Sequence, residues 1–580
     1  MDNREVARAL RELGRLLEVD GESAFKVRAY LVAADRVAAV AEPLEALRRR
    51  GALRDIPGVG AAIAQKIEAL LDTGHVPLLD RLRTKYPGGV ADLLRIPEIG
   101  PRRIGVLAEA GITSVEELER AARDGRLARV KGFGGQKVAA IVQGIEQLRR
   151  HAATVPLARA LPVAEEMLDC LDRDRGVHRS HVAGAVRRWQ DAVPGIEIVA
   201  ATADPERTLD WFAAYGAVEE VVEAGTDACS VRLHDETVAT LHVAPPDDWA
   251  PSLLVHTGPE EHVALLRERA TERGLRLAET GLFHADGRRF DPPDEEAIYA
   301  ALGMAFVPPE LRHDPDAFAA ALRGASPRLV EVGDIQGFTH CHTTWSDGKA
   351  TVLEMAQAAQ ARGMRYLTIT DHSQSSHYAN GLDPDRLRRQ WDEIAAAQEL
   401  VPQVRLLRGS EVDILPDGSL DFPDDVLEQL DVVVGSIHQR HGLDEDGQTR
   451  RLVRALAHPL LSWIGHPTGR LVGSRDPIPV RMDEVIEAAA THGKALEVNG
   501  SPHRLDLSGE HVRMAVRAGV KLVLSVDAHS TGGLDVLRWA VGTARRGGAT
   551  AGDVLNAQPP RAFLAALGGA RPGGVRPAVD

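Results

Sequence analysis

Between residues 336 and about 565 the chain alternates short apolar runs with helical stretches, and nearly every apolar run ends on a residue able to bind a metal. "FTHCHTTWSDG" supplies His340, His342 and Asp347; "YLTITDHS" ends on Asp371 and His372; "VRLLRGSEVDI" leads to Glu411. "DVVVGSIH" ends on His438, "LLSWIGHP" on His466, and "KLVLSVDAH" on Asp527 and His529. Strands alternating with helices build a parallel sheet, and in a β/α barrel the carboxyl ends of the strands form one rim where residues distant in sequence meet. A single histidine at a strand end is usually an ordinary hydrogen-bonded residue; six such segments in a row predict a metal cluster on that rim. Imidazole and carboxylate without thiolate suit Zn, Mn or Fe, and so many candidate ligands exceed what one ion takes, so two or three ions are expected. Adjacent ions activate water, clamp a phosphate and stabilise a leaving oxygen. His340 and His342 are two apart on a strand and point the same way, which leaves Cys341 to packing.

The front of the chain reads differently. Residues 1 to about 150 carry apolar residues at helical spacing throughout and hold 26 basic against 21 acidic side chains, a charge of +5, whereas the remainder carries −20. Such a front attracts a polyanion. Within it one pattern recurs as "IPGVGAAIAQKI", "IPEIGPRRIGVL" and "VKGFGGQKVAAI": an apolar residue, a glycine turn, then a helix. Gly58, Gly60, Gly100, Gly132 and Gly134 let the backbone come close to another body, and the helix amides after each turn suit phosphate. The second copy is the weakest, with Glu98 where the others have their first glycine. Contacts of this kind position a duplex without reading its sequence, which makes DNA the expected partner.

From about 155 to 315 short alternating strands with interspersed helices predict an α+β region, and "RHDPDAFAAALRGASPRLVEVGD" reads as a linker to the histidine-rich strand and helix region. Three scattered cysteines form no paired motif, and no apolar run approaches the ~18 residues needed to span a bilayer. With no apolar leader segment in "MDNREVARALRELG", a cytoplasmic protein is expected, associated with the nucleoid through DNA.

The H-x-H-x4-D, TDH, GSE, GSIH, GHP and DAH segments, in that order, resemble the PHP (polymerase and histidinol phosphatase) superfamily. That resemblance implies a distorted seven-stranded β/α barrel that hydrolyses phosphoesters through a trinuclear centre, with His340, His342, Asp347, His372, Glu411, His438, His466, Asp527 and His529 as ligands. Asp371 and Asp413 are expected to support the site, Asp371 as a catalytic group, and Arg470 in "GHPTGR" is expected to face phosphate. The glycine hairpins resemble helix-hairpin-helix motifs, and the order of segments resembles bacterial family X DNA polymerases with a C-terminal PHP domain. The implied division is a lyase-like domain at 1–85, fingers at 86–152, a nucleotidyltransferase palm at 153–255, a thumb at 256–315, a linker at 316–334, the PHP domain at 335–567 and a disordered tail at 568–580. By the same resemblance Lys66 stands where such enzymes carry a Schiff-base lysine, with a plain phosphate contact as its other role.

The palm departs from the family pattern. Gly184, Arg187 and Arg188 match the Gly-Ser-x-Arg-Arg hairpin, but Ala185 replaces Ser, Gly195-Ile196-Glu197 replaces the Asp-x-Asp pair, and Thr240 in "TLHVAP" stands at the third Asp. A lone Glu197 holds Mg poorly, because Mg demands near-ideal octahedral oxygen geometry. Asp191 and Asp204 are rival carboxylates, disfavoured by their positions in a turn and beyond the strand. Templated synthesis is therefore expected to be lost or weak, with nucleotide binding through Arg187 and Arg188 retained. The resulting expectation is a DNA-repair enzyme acting on gapped, nicked or 3′-end DNA through a metal-dependent 3′-5′ exonuclease site, with other repair factors and dNTP as further partners. The alternatives are a gap-filling DNA-directed polymerase with a PHP proofreading domain, and a non-catalytic DNA-binding scaffold.

Overall fold

The computed structural model describes residues 3–38, 43–56, 58–86, 90–93, 96, 99–152 and 154–567; Glu98 and the tail at 568–580 lie outside the described residues. The chain divides into two compact units, Met1–Ala153 and Thr154–Asp580. No helix among the described residues is long and apolar enough to cross a membrane.

The first unit is helical, with one apolar cluster that includes Leu10, Leu13, Leu17 and Ile67 and another that includes Leu93, Ile104, Leu118, Phe133 and Ile141. The three glycine turns each deliver a helix: Ala61–Thr73, Pro101–Glu109 and Gly135–Ala152. Gly58 and Gly132 have φ of 89° and 94°, a conformation glycine adopts without steric cost. A Cβ at Gly60, Gly100 or Gly134 would meet nothing within 4 Å, so each helix start has open space before it.

The second unit begins with a mixed five-stranded sheet made of β1 (Val177–Val182), β2 (Ile196–Thr202), β3 (Val218–Ala224), β4 (Ala228–Leu233) and β5 (Val238–Ala244), in the order β1-β2-β5-β4-β3. Only β2 and β5 run parallel. Helices Trp249–Thr257, Glu260–Glu272 and Glu295–Ala301 then surround a small antiparallel sheet over 275–290. The stretch read as a linker is folded instead. Its helix Pro315–Leu322 buries Phe318 and Ala321 in the core of those helices, and Val330 N–H donates to the Ala549 carbonyl at 3.0 Å. Its short apolar run, "PDAFAAAL", capped by Asp314, was the available signal for that helix.

Seven parallel strands complete the unit in sequential order: β6 (Gly337–Cys341), β7 (Tyr366–Ile369), β8 (Arg405–Asp413), β9 (Val432–Ser436), β10 (Trp463–Ile464), β11 (Ala495–Asn499) and β12 (Leu522–Ser525). The residues just past β12 pair back onto β6, with His342 N–H to the Ala528 carbonyl at 2.9 Å and Val526 N–H to the Thr339 carbonyl at 3.2 Å. This nearly closes the barrel. Period-two alternation divides its lumen into two layers. Tyr366, Leu407, Val432, Val434, Trp463, Ala495 and Val523 form a buried apolar cluster with Phe563 of the terminal helix Pro560–Ala566, whose ring stacks 4.9 Å from that of Tyr366. Further along the same faces the side chains become Glu411, Glu497 and Asn499. One end is thus plugged with apolar side chains, and the polar residues collect at the other.

Candidate metal centre

Glu411 occupies the middle of the rim, almost fully buried on β8. Its oxygens lie 2.9 Å from His372 Nδ1, 3.1 Å from His438 Nε2, 2.9 Å from His466 Nε2, 3.3 Å from His340 Nε2 and 3.6 Å from His342 Nε2. Asp527 Oδ1 is 3.4 Å from His342 Nε2 and 3.8 Å from His340 Nε2. At the outer edge Asp347 Oδ1 lies 3.4 Å from His529 Nε2 and 3.7 Å from His372 Nε2. The structure therefore brings all nine residues into overlapping groups whose ligand atoms lie within 4.8 Å of one another: His342-Asp347-His372-His529, His340-His466-Asp527, His340-His342-Glu411 and His372-Glu411-His438. Cys341 is buried in a separate apolar cluster, with Val352, Met355 and Ala359 of the helix Val352–Ala361.

Burial alone would raise the Glu411 carboxyl, but the imidazoles of His438, His340 and His372 hold it well below its ordinary value. Burial likewise disfavours a charged His438, yet Glu411 and Asp413 push it up to about 10. Among the described residues His340 Nε2, both ring nitrogens of His342, His372 Nδ1 and Glu411 Oε1 are buried without a hydrogen-bond partner. Such atoms are costly unless something else satisfies them, and an imidazole and carboxylate donor set fits divalent transition ions. His340, His466 and Asp527 have φ of 61°, 26° and 46°, backbone strain of the kind that concentrates at functional sites.

Behind the rim lies a supporting layer. Glu497 accepts from His340 Nδ1 at 2.6 Å and from His466 N–H at 2.5 Å, and Asn499 Nδ2 donates to Asp527 at 3.0 Å. Asp413 holds His438 Nδ1 at 3.1 Å and accepts from Ser376 Oγ at 2.5 Å. Carboxylates on the second ring nitrogen fix the orientation of a ligating histidine and raise its basicity. Glu497 and Asn499 were missed in the sequence, although a charge inside the apolar run "ALEVNG" was a usable signal.

Two expected catalytic residues have other occupations. Asp371 accepts from the N–H groups of Thr343 and Ser346, from both their hydroxyls and from Gln390 Nε2, so both oxygens serve to position the loop that carries Asp347. Arg470 pairs with Asp191 at 2.7 Å and donates to the carbonyls of Arg504 and Leu505. It ties the barrel to the sheet domain instead of facing the rim. Arg504 is the arginine beside the cluster, its Nε 3.6 Å from Asp527. Lys66 lies over the Tyr30 ring at 5.6 Å and donates to the Ala62 carbonyl at 3.2 Å.

In the five-stranded sheet Glu197 is registered against Thr240, which places those two residues side by side as the sequence pattern required. Gly195 lies just before β2, and a Cβ there would stand 2.7 Å from the Val238 carbonyl oxygen. An aspartate at that point would require β2 and β5 to part. Asp204 caps the helix Pro205–Ala213 and Asp191 holds Arg470, so neither supplies a replacement carboxylate. Gly184, at φ 56°, leaves room for Glu197, whose Cδ would lie 2.6 Å from an added Cβ. The two arginines expected to face a nucleotide do not. Arg187 donates to Thr257 Oγ1 at 2.7 Å and to Glu295 at 2.5 Å, while Glu295 also binds Arg312 at 2.8 Å. Arg188 donates to the Thr257 carbonyl, and burial lowers it to about 10 despite the nearby Glu197.

The hairpin also docks on the barrel. Trp189 packs against Trp539 with ring centroids 5.7 Å apart, and Arg546 Nη1 donates to the Arg188 carbonyl at 2.8 Å.

Family comparisons agree with this architecture. Residues 1–76 match a helix-hairpin-helix domain, 90–147 a SAM-like helix-hairpin-helix tandem, 252–313 the DNA polymerase beta thumb and 339–501 the PHP domain. The chain is 33% identical over 562 residues to the DNA polymerase/3′-5′ exonuclease PolX of Bacillus subtilis, covering 96% of this chain and 98% of that protein. A probable phosphatase of Thermoanaerobacter sp. (strain X514) is 28% identical over 232 residues, 38% of this chain and 89% of its own length. A probable phosphatase of Caldicellulosiruptor bescii is 30% identical over 207 residues, 33% of this chain and 78% of its own.

Proposed function

This chain belongs to the PolX family of DNA polymerase/3′-5′ exonucleases, and from that premise we propose that its working site is the barrel rim, acting as a metal-dependent 3′-5′ exonuclease in DNA repair while the palm no longer polymerises. The observation that carries this reading is the asymmetry between two sites in one chain. Eight ligand-competent residues converge around Glu411, whereas at the three positions where the palm pattern calls for aspartates only Glu197 offers a carboxylate, beside Gly195 and Thr240.

His340, His342, Asp347, His372, Glu411, His438, His466, Asp527 and His529 would hold two or three Mn, Zn or Fe ions, Glu411 being common to two of their groups. Bound ions would supply Lewis acidity and a water nucleophile at neutral pH. Glu497 and Asp413 orient His340 and His438, and Asp371 holds the loop bearing Asp347. Arg504 lies where it can meet a phosphate beside Asp527. Tyr378 is 70% exposed with its ring 6.2 and 6.3 Å from those of His372 and His438, an aromatic face suited to stacking on a terminal base. That face favours a nucleic acid over a small phosphate ester. The open helix starts after Gly60, Gly100 and Gly134 suit the backbone of gapped or nicked DNA, without sequence preference. We place this work in the cytoplasm, on nucleoid DNA.

The test is degradation of 3′-recessed, 5′-labelled DNA by the full chain and by Glu411→Gln. The variant should lose activity by several orders of magnitude at every metal concentration; degradation at the wild-type rate would overturn the reading.

A further inference from the structure

The palm contains a second cluster of ligand-competent side chains, separate from the barrel rim. Glu197 on β2, His242 on β5 and His256 on the helix Trp249–Thr257 bring three ligand atoms within 4.8 Å of one another. The topology accounts for the convergence. Parallel β2 and β5 pair Glu197 with Thr240 and Val199 with His242, so Thr240 and His242, two apart, share a face. The helix after β5 then lays His256 over His242, with ring centroids 3.7 Å apart and planes at 21°. His256 Nε2 is bonded to Glu279 at 2.6 Å, which leaves Nδ1 as its other ligand atom. Among the described residues no donor hydrogen-bonds the Glu197 carboxylate or the His242 ring. Arg188 acts on Glu197 through charge while its Nη1 donates to the Thr257 carbonyl.

We propose that this palm binds one Zn-class divalent ion through Glu197, His242 and His256, where the aspartates of the palm pattern are missing. Two imidazoles and one carboxylate with an open position form a donor set that zinc accepts at bond lengths of ~2.0–2.2 Å. Tetrahedral geometry at those lengths separates ligand atoms by roughly 3.3 Å; the three now lie within 4.8 Å of one another, and the stacked His242 and His256 rings turn apart to aim their lone pairs at one ion. Magnesium selects oxygen ligands and is not favoured by this set. Glu279 on the second nitrogen of His256 is the carboxylate that commonly orients a metal-bound imidazole.

The test uses the full chain carrying Glu411→Gln, which removes the carboxylate shared by two of the barrel groups and leaves the remaining barrel sites the same in every protein compared, stripped with chelator and titrated with Zn or Co under equilibrium dialysis. Adding His242→Ala should remove one bound equivalent per chain, together with the visible absorption of the corresponding Co form. Unchanged stoichiometry and an unchanged Co spectrum would overturn the proposal. Glu279→Gln keeps all three ligands and serves if His242→Ala misfolds. It should weaken the palm equivalent about 10–100-fold, and an unaltered affinity there would equally overturn the proposal.

Discussion

Replacing Glu497 by glutamine should weaken the barrel centre without removing any of its nine candidate ligands. Glu497 is fully buried and accepts at both oxygens, from His340 Nδ1 at 2.6 Å and His466 N–H at 2.5 Å, with Asn499 Nδ2 a further donor at 3.3 Å. An amide has one acceptor oxygen, so whichever way the glutamine turns, one of these donors faces an NH2 group. Side-chain volume is conserved and no cavity opens, which isolates the lost charge and acceptor. A hydrogen bond to a charged group contributes about 1.5–3 kcal/mol, equivalent to roughly a 10–100-fold change in metal affinity. Titrating exonuclease activity against Mn should show half-saturation shifted up by that factor, with activity recovering toward the wild-type maximum at high metal. Identical half-saturation in the two proteins would refute the claim that Glu497 orients the His340 and His466 segment.

Other consequences can be read from thermal and binding measurements. His262 is buried beside Tyr299, and burial, then Arg312, lowers its imidazole to about 3. The unfolded chain therefore binds a proton below pH ~6.5 that the native state refuses, so the stability present above that pH declines as pH falls toward 3. Between pH 7 and pH 5 the loss is about 2 kcal/mol, and His262→Gln should flatten the thermal-midpoint profile by that amount; parallel profiles would contradict it. A Cβ at Gly542 would collide with the Trp189 ring, so Gly542→Val should destabilise the second unit by at least ~1–3 kcal/mol, and Trp189→Ala should relieve much of that cost in the double variant. Additive losses in the thermal midpoints would exclude the contact. Gly60→Asp meets open space and supplies a good helix cap, so folding should be unharmed while DNA affinity and its salt dependence both fall; unchanged binding would remove that turn from the DNA surface.

Much of this arrangement was legible because its periodicity is strict. Six of the seven barrel strands announce a ligand at or near their carboxyl ends, and one rim collects them whatever the loop lengths. Glu497 was harder to read, being a charge inside a run that resembles plain core, and its partner His340 is more than 150 residues away. The arginines misled for a related reason. Arg187, Arg188 and Arg470 belong to motifs that suggest phosphate, yet their partners Thr257, Glu295 and Asp191 come from other segments that only tertiary packing brings near. His242 lay in view two residues past Thr240, but its meeting with Glu197 and His256 depends on a parallel strand pairing that no local pattern declares.

The central claim is that this chain degrades DNA at the barrel and does not extend it at the palm. Purified protein incubated with end-labelled, primed gapped DNA across Mg, Mn and Zn, with and without dNTPs, should shorten the primer in both conditions and lengthen it in neither, and Asp527→Ala should abolish the shortening. Primer extension that disappears in Glu197→Ala, or shortening that persists in Asp527→Ala, would contradict it.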